Sequence, residues 1–163
     1  MLNTTLCYIY QGDRVLMLHR VKKENDLNRD KWIGLGGKFL EGETPAQCVL
    51  REIKEESGLT LTSYRYRGIV DFISDRWPAE RMHLFTADAF TGELIPCEEG
   101  DLEWITMAQF RELPQWEGDK IFLQLLEEDA PFFRLKLEYE GEALVRFEMS
   151  RQPDSKEENV ETT

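Results

Sequence analysis

The sequence predicts one α/β domain. Three observations carry that prediction. Strand-like runs of aliphatic and aromatic residues recur along the chain, two stretches repeat their apolar residues at helical spacing instead, and 163 residues suffice for one sizeable core. Residues 1–150 hold all of these elements. Residues 151–163, RQPDSKEENVETT, have almost no apolar content and are expected to form a disordered polar tail.

In chain order, residues 6–10 and 14–19 are rich in aliphatic and aromatic side chains and flank the turn Gln11-Gly12-Asp13, which reads as two strands of a central sheet. Residues 21–31, VKKENDLNRDK, are polar, break all periodicity and predict a surface loop. KWIGLGGK then leads toward a helix over residues 45–57. Thr44 is its cap, Pro45 suits the first helical position, Gln47 completes a capping box and Gly58 supplies the left-handed residue that ends it. Ala46, Val49, Leu50 and Ile53 fall in one stripe of this helix and are expected to face the core. Residues 64–73 and 81–89 alternate like strands around a turn at Pro78, and Thr91-Gly92 marks a further turn. The lone His83 in the second of these strands reads as packing. Thr106 caps a short helix that Pro114 stops, and Ile121, Phe122, Leu125 and Leu126 recur at helical spacing within residues 117–128. Residues 132–139 and 143–149 are strands about the turn Glu140-Gly141-Glu142.

The first helix carries the chemistry. Glu52, Glu55 and Glu56 stand at i, i+3 and i+4 and crowd one side of it. Like charges so spaced cost about 0.2–0.5 kcal/mol per pair, and the C-terminal half of a helix already disfavours anions. Two readings are open: a solvated acidic face, or a site for a hard divalent cation, which takes oxygen ligands from carboxylates and from substrate phosphates.

Composition narrows the partners. With 32 acidic against 20 basic residues, the net charge of −12 argues against a nucleic-acid polymer as a standing partner, whereas a small nucleotide bringing its own metal ions is compatible. Cys7, Cys48 and Cys97 are far apart and form no CxxC pattern, which points to small buried thiols rather than a disulfide framework or a zinc site. No stretch approaches a membrane span and no leader-like pattern opens the chain, so no membrane contact and a cytoplasmic setting are expected.

The spacing around the first helix, Gly37, five residues, Glu43, seven residues, then REIKEESGL, resembles the Nudix box at every defining position. The resemblance implies a Nudix α/β/α sandwich with a mixed central sheet and a loop-helix-loop catalytic motif. It also implies hydrolysis of a nucleoside diphosphate linked to a further moiety, with Mg²⁺, or alternatively Mn²⁺, as cofactor. By the same resemblance Glu52, Glu55 and Glu56 hold metal with help from the backbone at Gly37. Arg51 holds a glutamate in place and is within reach of Glu55. The acidic segment PCEEGDLEW supplies a further ligand, Glu99, with Glu98 as the open alternative and solvated loop acids as the bland reading of both.

From about residue 5 to residue 149 the chain also resembles the MutT-homologue branch that hydrolyses oxidised purine nucleoside triphosphates. KWIGLGGKFLEGET, LPQWEGDKIFLQLL and the FF…LEYEG…VRFEM ending carry that likeness. It implies 8-oxo-dGTP diphosphatase activity, releasing a nucleoside monophosphate and pyrophosphate, and a role in sanitising the nucleotide pool on behalf of DNA repair. Trp116 is then a plate stacked on the purine and Asp119 bonds the base edge. Phe72 is a further candidate substrate contact, and in the polar loop Lys22 and Lys23 are placed to meet substrate phosphates, Lys23 being the one assigned. Trp116, Asp119 and the lysines each have a plainer reading: a core tryptophan, a helix-start acid, solubilising lysines. Ile33 and Gly118 stand where some members carry polar side chains that read the base. The alternative activities are hydrolysis of another nucleotide, such as ADP-ribose, a dinucleoside polyphosphate or a capped RNA end, and nucleotide binding without turnover. A monomer is the expected state.

Overall fold

The computed structural model describes residues 1–22 and 26–150. The expected tail and the substrate contact assigned to Lys23 lie outside these described residues. The strands are β1 (Leu2–Gln11), β2 (Arg14–His19), β3 (Trp32–Ile33), β4 (Thr60–Ser74), β5 (Glu80–Thr91), β6 (Asp101–Thr106), β7 (Phe133–Glu140) and β8 (Ala143–Ser150). The helices are α1 (Pro45–Ser57), α2 (Met107–Arg111) and α3 (Glu117–Glu127). One mixed sheet runs β3-β2-β1-β5-β4-β7-β8, with β6 also paired to β2. The pairs β1/β5 and β4/β7 are parallel, and the others are antiparallel.

The central strands are apolar on both sides because both sides are covered, as parallel pairing requires. Successive side chains of a strand point to opposite faces. Cys7 and Ile9 of β1 and Leu16 and Leu18 of β2 therefore pack with Val49 and Ile53 of α1. Their neighbours Leu6, Tyr8, Val15 and Met17 pack on the other face with Phe110 of α2 and Phe122 and Leu123 of α3. Helix, sheet and helix thus form the three layers that the resemblance implies. The strands run longer than their apolar runs indicate: β4 begins at Thr60, directly after the helix stop, because pairing with β5 recruits the polar residues at its start. His83 is buried in β5, where its ring bonds the Tyr66 hydroxyl and, at 3.1 Å, Asn3 Oδ1.

Local chemistry sets the limits of α1. Gln47 N–H donates to Thr44 Oγ1 at 3.2 Å, Thr44 N–H donates to Gln47 Oε1 at 3.0 Å, and Gly58 closes the helix with φ of 83°. Its buried side is Cys48, Val49, Ile53 and Ser57, while Ala46 and Leu50 are only half-buried. The stripe is turned because the first turns of α1 lean on a loop as well as on the sheet. Cys48 Sγ lies 3.4 Å from Thr5 Oγ1 and 3.6 Å from the Gly37 carbonyl oxygen. Cys7, Cys48 and Cys97 are all buried and unpaired. Burial pushes all three thiols up, Cys48 to about 11 and Cys7 much further. Among the described residues no helix is long and apolar enough to cross a membrane.

The feature that positions the site is a split between β1 and β2. They pair only from Ile9↔Leu16 to Gln11↔Arg14. Below that the glycine segment enters and takes over the edge of β1. Cys7 N–H donates to the Leu35 carbonyl (2.6 Å), Leu35 N–H to that of Cys7 (3.1 Å), Thr5 N–H to that of Gly37 (2.9 Å) and Phe39 N–H to that of Asn3 (3.1 Å). Gly36 passes so close that a Cβ there would overlap the Thr5 carbonyl oxygen. Gly36→Ala is therefore expected to destabilise the fold by at least about 1–3 kcal/mol, the range for overpacking a tight site. Urea denaturation measures this, and an unchanged midpoint would show that the segment does not need its close approach.

Candidate active site

The segment and α1 together build one end of a cavity of about 590 Å³. Glu52 and Glu56 reach it from α1, and Glu99 reaches it from the loop before β6. Glu56 accepts the Gly36 N–H at 2.9 Å. Burial first, then Glu99 and Glu52, push its carboxyl up to about 9 against the opposing pull of that N–H. Glu52 accepts Arg51 Nη1 at 2.7 Å and lies against Gly37, which has no room for a side chain. Glu99 accepts Arg20 Nη1 at 2.9 Å, while Arg20 Nε is held by Asp26 at 2.7 Å.

Arg51 does more than span one helical turn. It reaches Glu55 at 3.1 Å, as its spacing predicts, but its two shortest links to another segment go to Glu43, at 2.7 and 2.9 Å. A further bond to the Lys38 carbonyl oxygen, at 3.0 Å, ties the loop before the helix to the helix itself. The Arg51 hydrogen bonds hold the Glu43 carboxyl down at about 2. Glu55, by contrast, points out: its side chain is 59% exposed and it does not line the cavity. Glu98 is exposed as well, so of the two neighbours Glu99 is the one turned inward.

These residues suit a divalent cation. A desolvated Glu56 crowded by two further carboxylates is a standing electrostatic cost, and a bound cation would relieve it. Among the described residues no three ligating side chains are drawn into a ready-made cage. Mg²⁺ has little need of one, since it keeps waters and takes substrate phosphate oxygens beside one or two carboxylates.

The other end of the cavity is aromatic. Phe72, Trp116, Asp119 and Tyr139 line it together, joining residues from β4, the start of α3 and β7. The Trp116 ring meets Phe72, Trp77 and Tyr139 nearly edge-on, with centroids 5.4, 5.7 and 5.0 Å away. Trp116 Nε1 donates to Asn28 Oδ1 at 2.7 Å, and Lys31 Nζ stands 4.5 Å from the ring centroid. Trp116 is thus buried in the core and part of the cavity wall at once. Asp119 is buried in the first turn of α3, and burial pushes its carboxyl up to about 8 although Lys31 pulls it down. Lys31 is itself paired with Glu142. Gly118 has its own reason: a Cβ there would come within 2.5 Å of Leu137 Cδ1 and 2.7 Å of the Tyr139 hydroxyl, which accepts the Gly118 N–H. An acid at this position would have to displace these two buried side chains.

Arg20, Asp26 and Asn28 are cavity residues that the sequence alone does not single out. They sit in a polar segment without periodicity. The signal that places Arg20 is a pairing, His19↔Asp101, which brings the end of β2 beside the loop bearing Glu99.

Comparison with known proteins agrees with this architecture. The NUDIX domain family profile matches residues 2–126. The chain is 35% identical over 124 residues to the oxidized purine nucleoside triphosphate hydrolase of Danio rerio, covering 75% of this chain and 77% of that protein. It is 32% identical over 127 residues to the Nudix hydrolase YvcI of Bacillus subtilis, again covering 75% and 77%. The crystal structure of the MutT protein from Bacillus halodurans superposes with a TM-score of 0.81 at 26% identity, covering 94% of this chain and 100% of that one. The chain belongs to the Nudix family. Hydrolases of this family act on pyrophosphate bonds of nucleotide substrates and generally use a divalent metal.

Glu56 yields a test in two parts. Without a divalent cation its folded-state pKa of about 9 stands above the ordinary 4.5, so the unfolded chain loses the proton first and stability falls as pH rises between those values. Glu56→Gln removes this slope: in chelator its melting temperature should overtake that of the parent as pH climbs toward 9. Mg²⁺ affinity should fall by at least about 10–100-fold, the cost of losing even an outer-sphere partner. Melting curves across pH and calorimetric Mg²⁺ titration check both parts.

Proposed function

We propose that this chain is a metal-dependent nucleoside triphosphate pyrophosphohydrolase with 8-oxo-dGTP as its leading substrate. The observation that carries the reading is one cavity with a carboxylate cluster at one end and a buried carboxyl beside a clamped tryptophan at the other. At about 590 Å³ it is of a size that small-molecule sites commonly have. The likeness to the Danio rerio hydrolase supports the substrate class.

At the phosphate end Glu52, Glu56 and Glu99, with the backbone around Gly37, would hold Mg²⁺ or alternatively Mn²⁺, and Glu55 would stand at the rim. When bound, the cation neutralises phosphate charge and polarises the phosphorus centre toward water. The chain's own part is positional. Arg51 fixes Glu52 and the loop, the Gly36 N–H aims Glu56, and Arg20 aims Glu99. Water adds to phosphorus, one phosphoric anhydride bond breaks, and a nucleoside monophosphate and pyrophosphate leave. Such an enzyme would sanitise the cytoplasmic nucleotide pool and so spare DNA repair.

At the base end Trp116 is braced by Asn28 and three rings, as a stacking plate needs to be. Base–aromatic stacking is worth roughly 1–3 kcal/mol. Phe72 packs against it from β4 and borders the same space. Asp119, held up at about 8 by burial, is largely protonated at neutral pH and both donates and accepts. 8-Oxoguanine offers N–H donors beside carbonyl acceptors. Ile33 lines the cavity without a polar group, whereas Asp119 and Asn28 line it with groups able to read the base.

The ratio of kcat/KM for 8-oxo-dGTP over dGTP tests this reading. Asp119→Ala should lower it about five- to a hundredfold, as expected for leaving a buried hydrogen-bonding group of the base unsatisfied, about 1–3 kcal/mol. In the parent enzyme the ratio should decline as pH rises through about 8, because the donor form is lost. Asp119→Asn should flatten that decline. A ratio unmoved in the alanine variant would remove the oxidised-purine assignment.

A further inference from the structure

The cavity uses no residue of β8, yet this strand carries the most exposed run of large apolar side chains in the sheet. β8 is last in the sheet order, with β7 on its inner side and no strand on its outer side among the described residues. Val145, Phe147 and Met149 are 52%, 55% and 44% exposed. Phe147 and Met149 are the Cα partners of Leu137 and Leu135, which are buried in the core beneath α3. Directly opposed residues of an antiparallel pair share a face, so Phe147 and Met149 form the bare outer border of that core. Exposed edge strands are normally blunted by charge, proline or a bulge, and β8 has a bulge only near its start, where Val145 is skipped between the pairs Tyr139↔Leu144 and Glu138↔Arg146. Here the two charges beside Phe147 are of opposite sign: Arg146 before it and Glu148 after it.

We propose that β8 pairs antiparallel with β8 of a second copy about a two-fold axis at Phe147, so that the sheet continues across a dimer. The register follows from the sequence of the strand itself. Centred on Phe147, Arg146 of each copy faces Glu148 of the other, Val145 faces Met149, and the two Phe147 rings meet. Centred one residue earlier, Arg146 opposes Arg146; one residue later, Glu148 opposes Glu148. Like charges directly opposite destabilise a sheet pair and unlike charges stabilise it. Only the Phe147-centred register is complementary throughout, which is what an interface between identical surfaces requires. The charges are available. Glu148 has no ion-pair partner among the described residues, since its cross-strand neighbour Lys136 is engaged with Glu138 at 3.2 Å. Arg146 also bonds Glu138, at 2.6 Å, but its side chain remains 65% exposed. One short strand offers less area than a permanent interface buries, so the association is weak and concentration-dependent, and it leaves the cavity open.

Sedimentation equilibrium of the full chain, from micromolar to millimolar concentration, tests the proposal. The average mass should climb from 19.2 kDa toward twice that value. Arg146→Glu and Glu148→Arg should each abolish the climb, because each sets like charges opposite one another at both ends of the interface. An equimolar mixture of the two variants should restore it, since a strand with two acids then meets a strand with two bases. Phe147→Ser, which changes no charge, should weaken association at least tenfold. Unchanged nucleotide hydrolysis and melting temperature verify that each variant is folded. A wild-type chain that stays monomeric overturns the proposal, whether residues 151–163 or another protein covers the strip. So do single variants that associate like the parent, or a mixture that does not associate.

Discussion

The closeness of the Gly36 backbone to Thr5 is the constraint on which the acidic end of the cavity depends. Through it, a segment with no regular structure of its own becomes part of the sheet edge, bonded to β1 from Asn3 to Cys7. That bonding fixes the Gly36 N–H, which in turn fixes Glu56. It also sets Gly37 against Glu52 and Cys48, so that α1 is located by the glycine segment as much as by its own apolar stripe. A helix docked only through Val49 and Ile53 could slide or rotate slightly on the sheet. Contact with a backbone that has no side chain to yield removes that freedom.

Electrostatics then runs against stability at this point and with it nearby. Burial desolvates Glu56, and Glu99 and Glu52 beside it raise the cost of ionising it further. Beside them Arg51 gathers Glu43, Glu52 and Glu55 and keeps Glu43 firmly ionised. The two clusters meet at Glu52, which belongs to both. A carboxylate so placed is held in one orientation by the arginine while one of its flanks stays on the cavity. Such pre-setting by a neighbour is the usual way a ligating group is kept in position.

How much of this was legible in the sequence depends on how local each feature is. The bounds of α1 are written within the stretch from Thr44 to Gly58, and the structure reproduces them. The paired apolar strands are equally legible, because covering both faces leaves a mark on every residue. The turning of α1 toward Cys48 was not, since it arises from contact with Thr5 and Gly37, remote in sequence. Arg20, Asp26 and Asn28 were invisible for the same reason: a polar loop has no periodicity, and only strand register carries it to the cavity. Glu55 illustrates a different limit. Spacing on a helix places it near Glu52 and Glu56, but a turn of helix is wide enough for Arg51 to hold it on the solvent side. For Trp116 the two readings, core residue and cavity wall, are both met by one position, and no pattern of neighbours could have separated them.

The three buried thiols have a consequence for the protein's chemistry in an oxidising environment. Peroxide attack and disulfide exchange proceed through the thiolate, and burial holds Cys7, Cys48 and Cys97 in the protonated form well above neutral pH. Cys48 is the one that matters most, since it lies directly behind the glycine segment, within 3.6 Å of the Gly37 carbonyl oxygen. A sulfenic or sulfinic acid there would force extra oxygen into the contact that locates α1. Burial thus keeps thiolate chemistry away from the contact that locates the helix bearing the carboxylates.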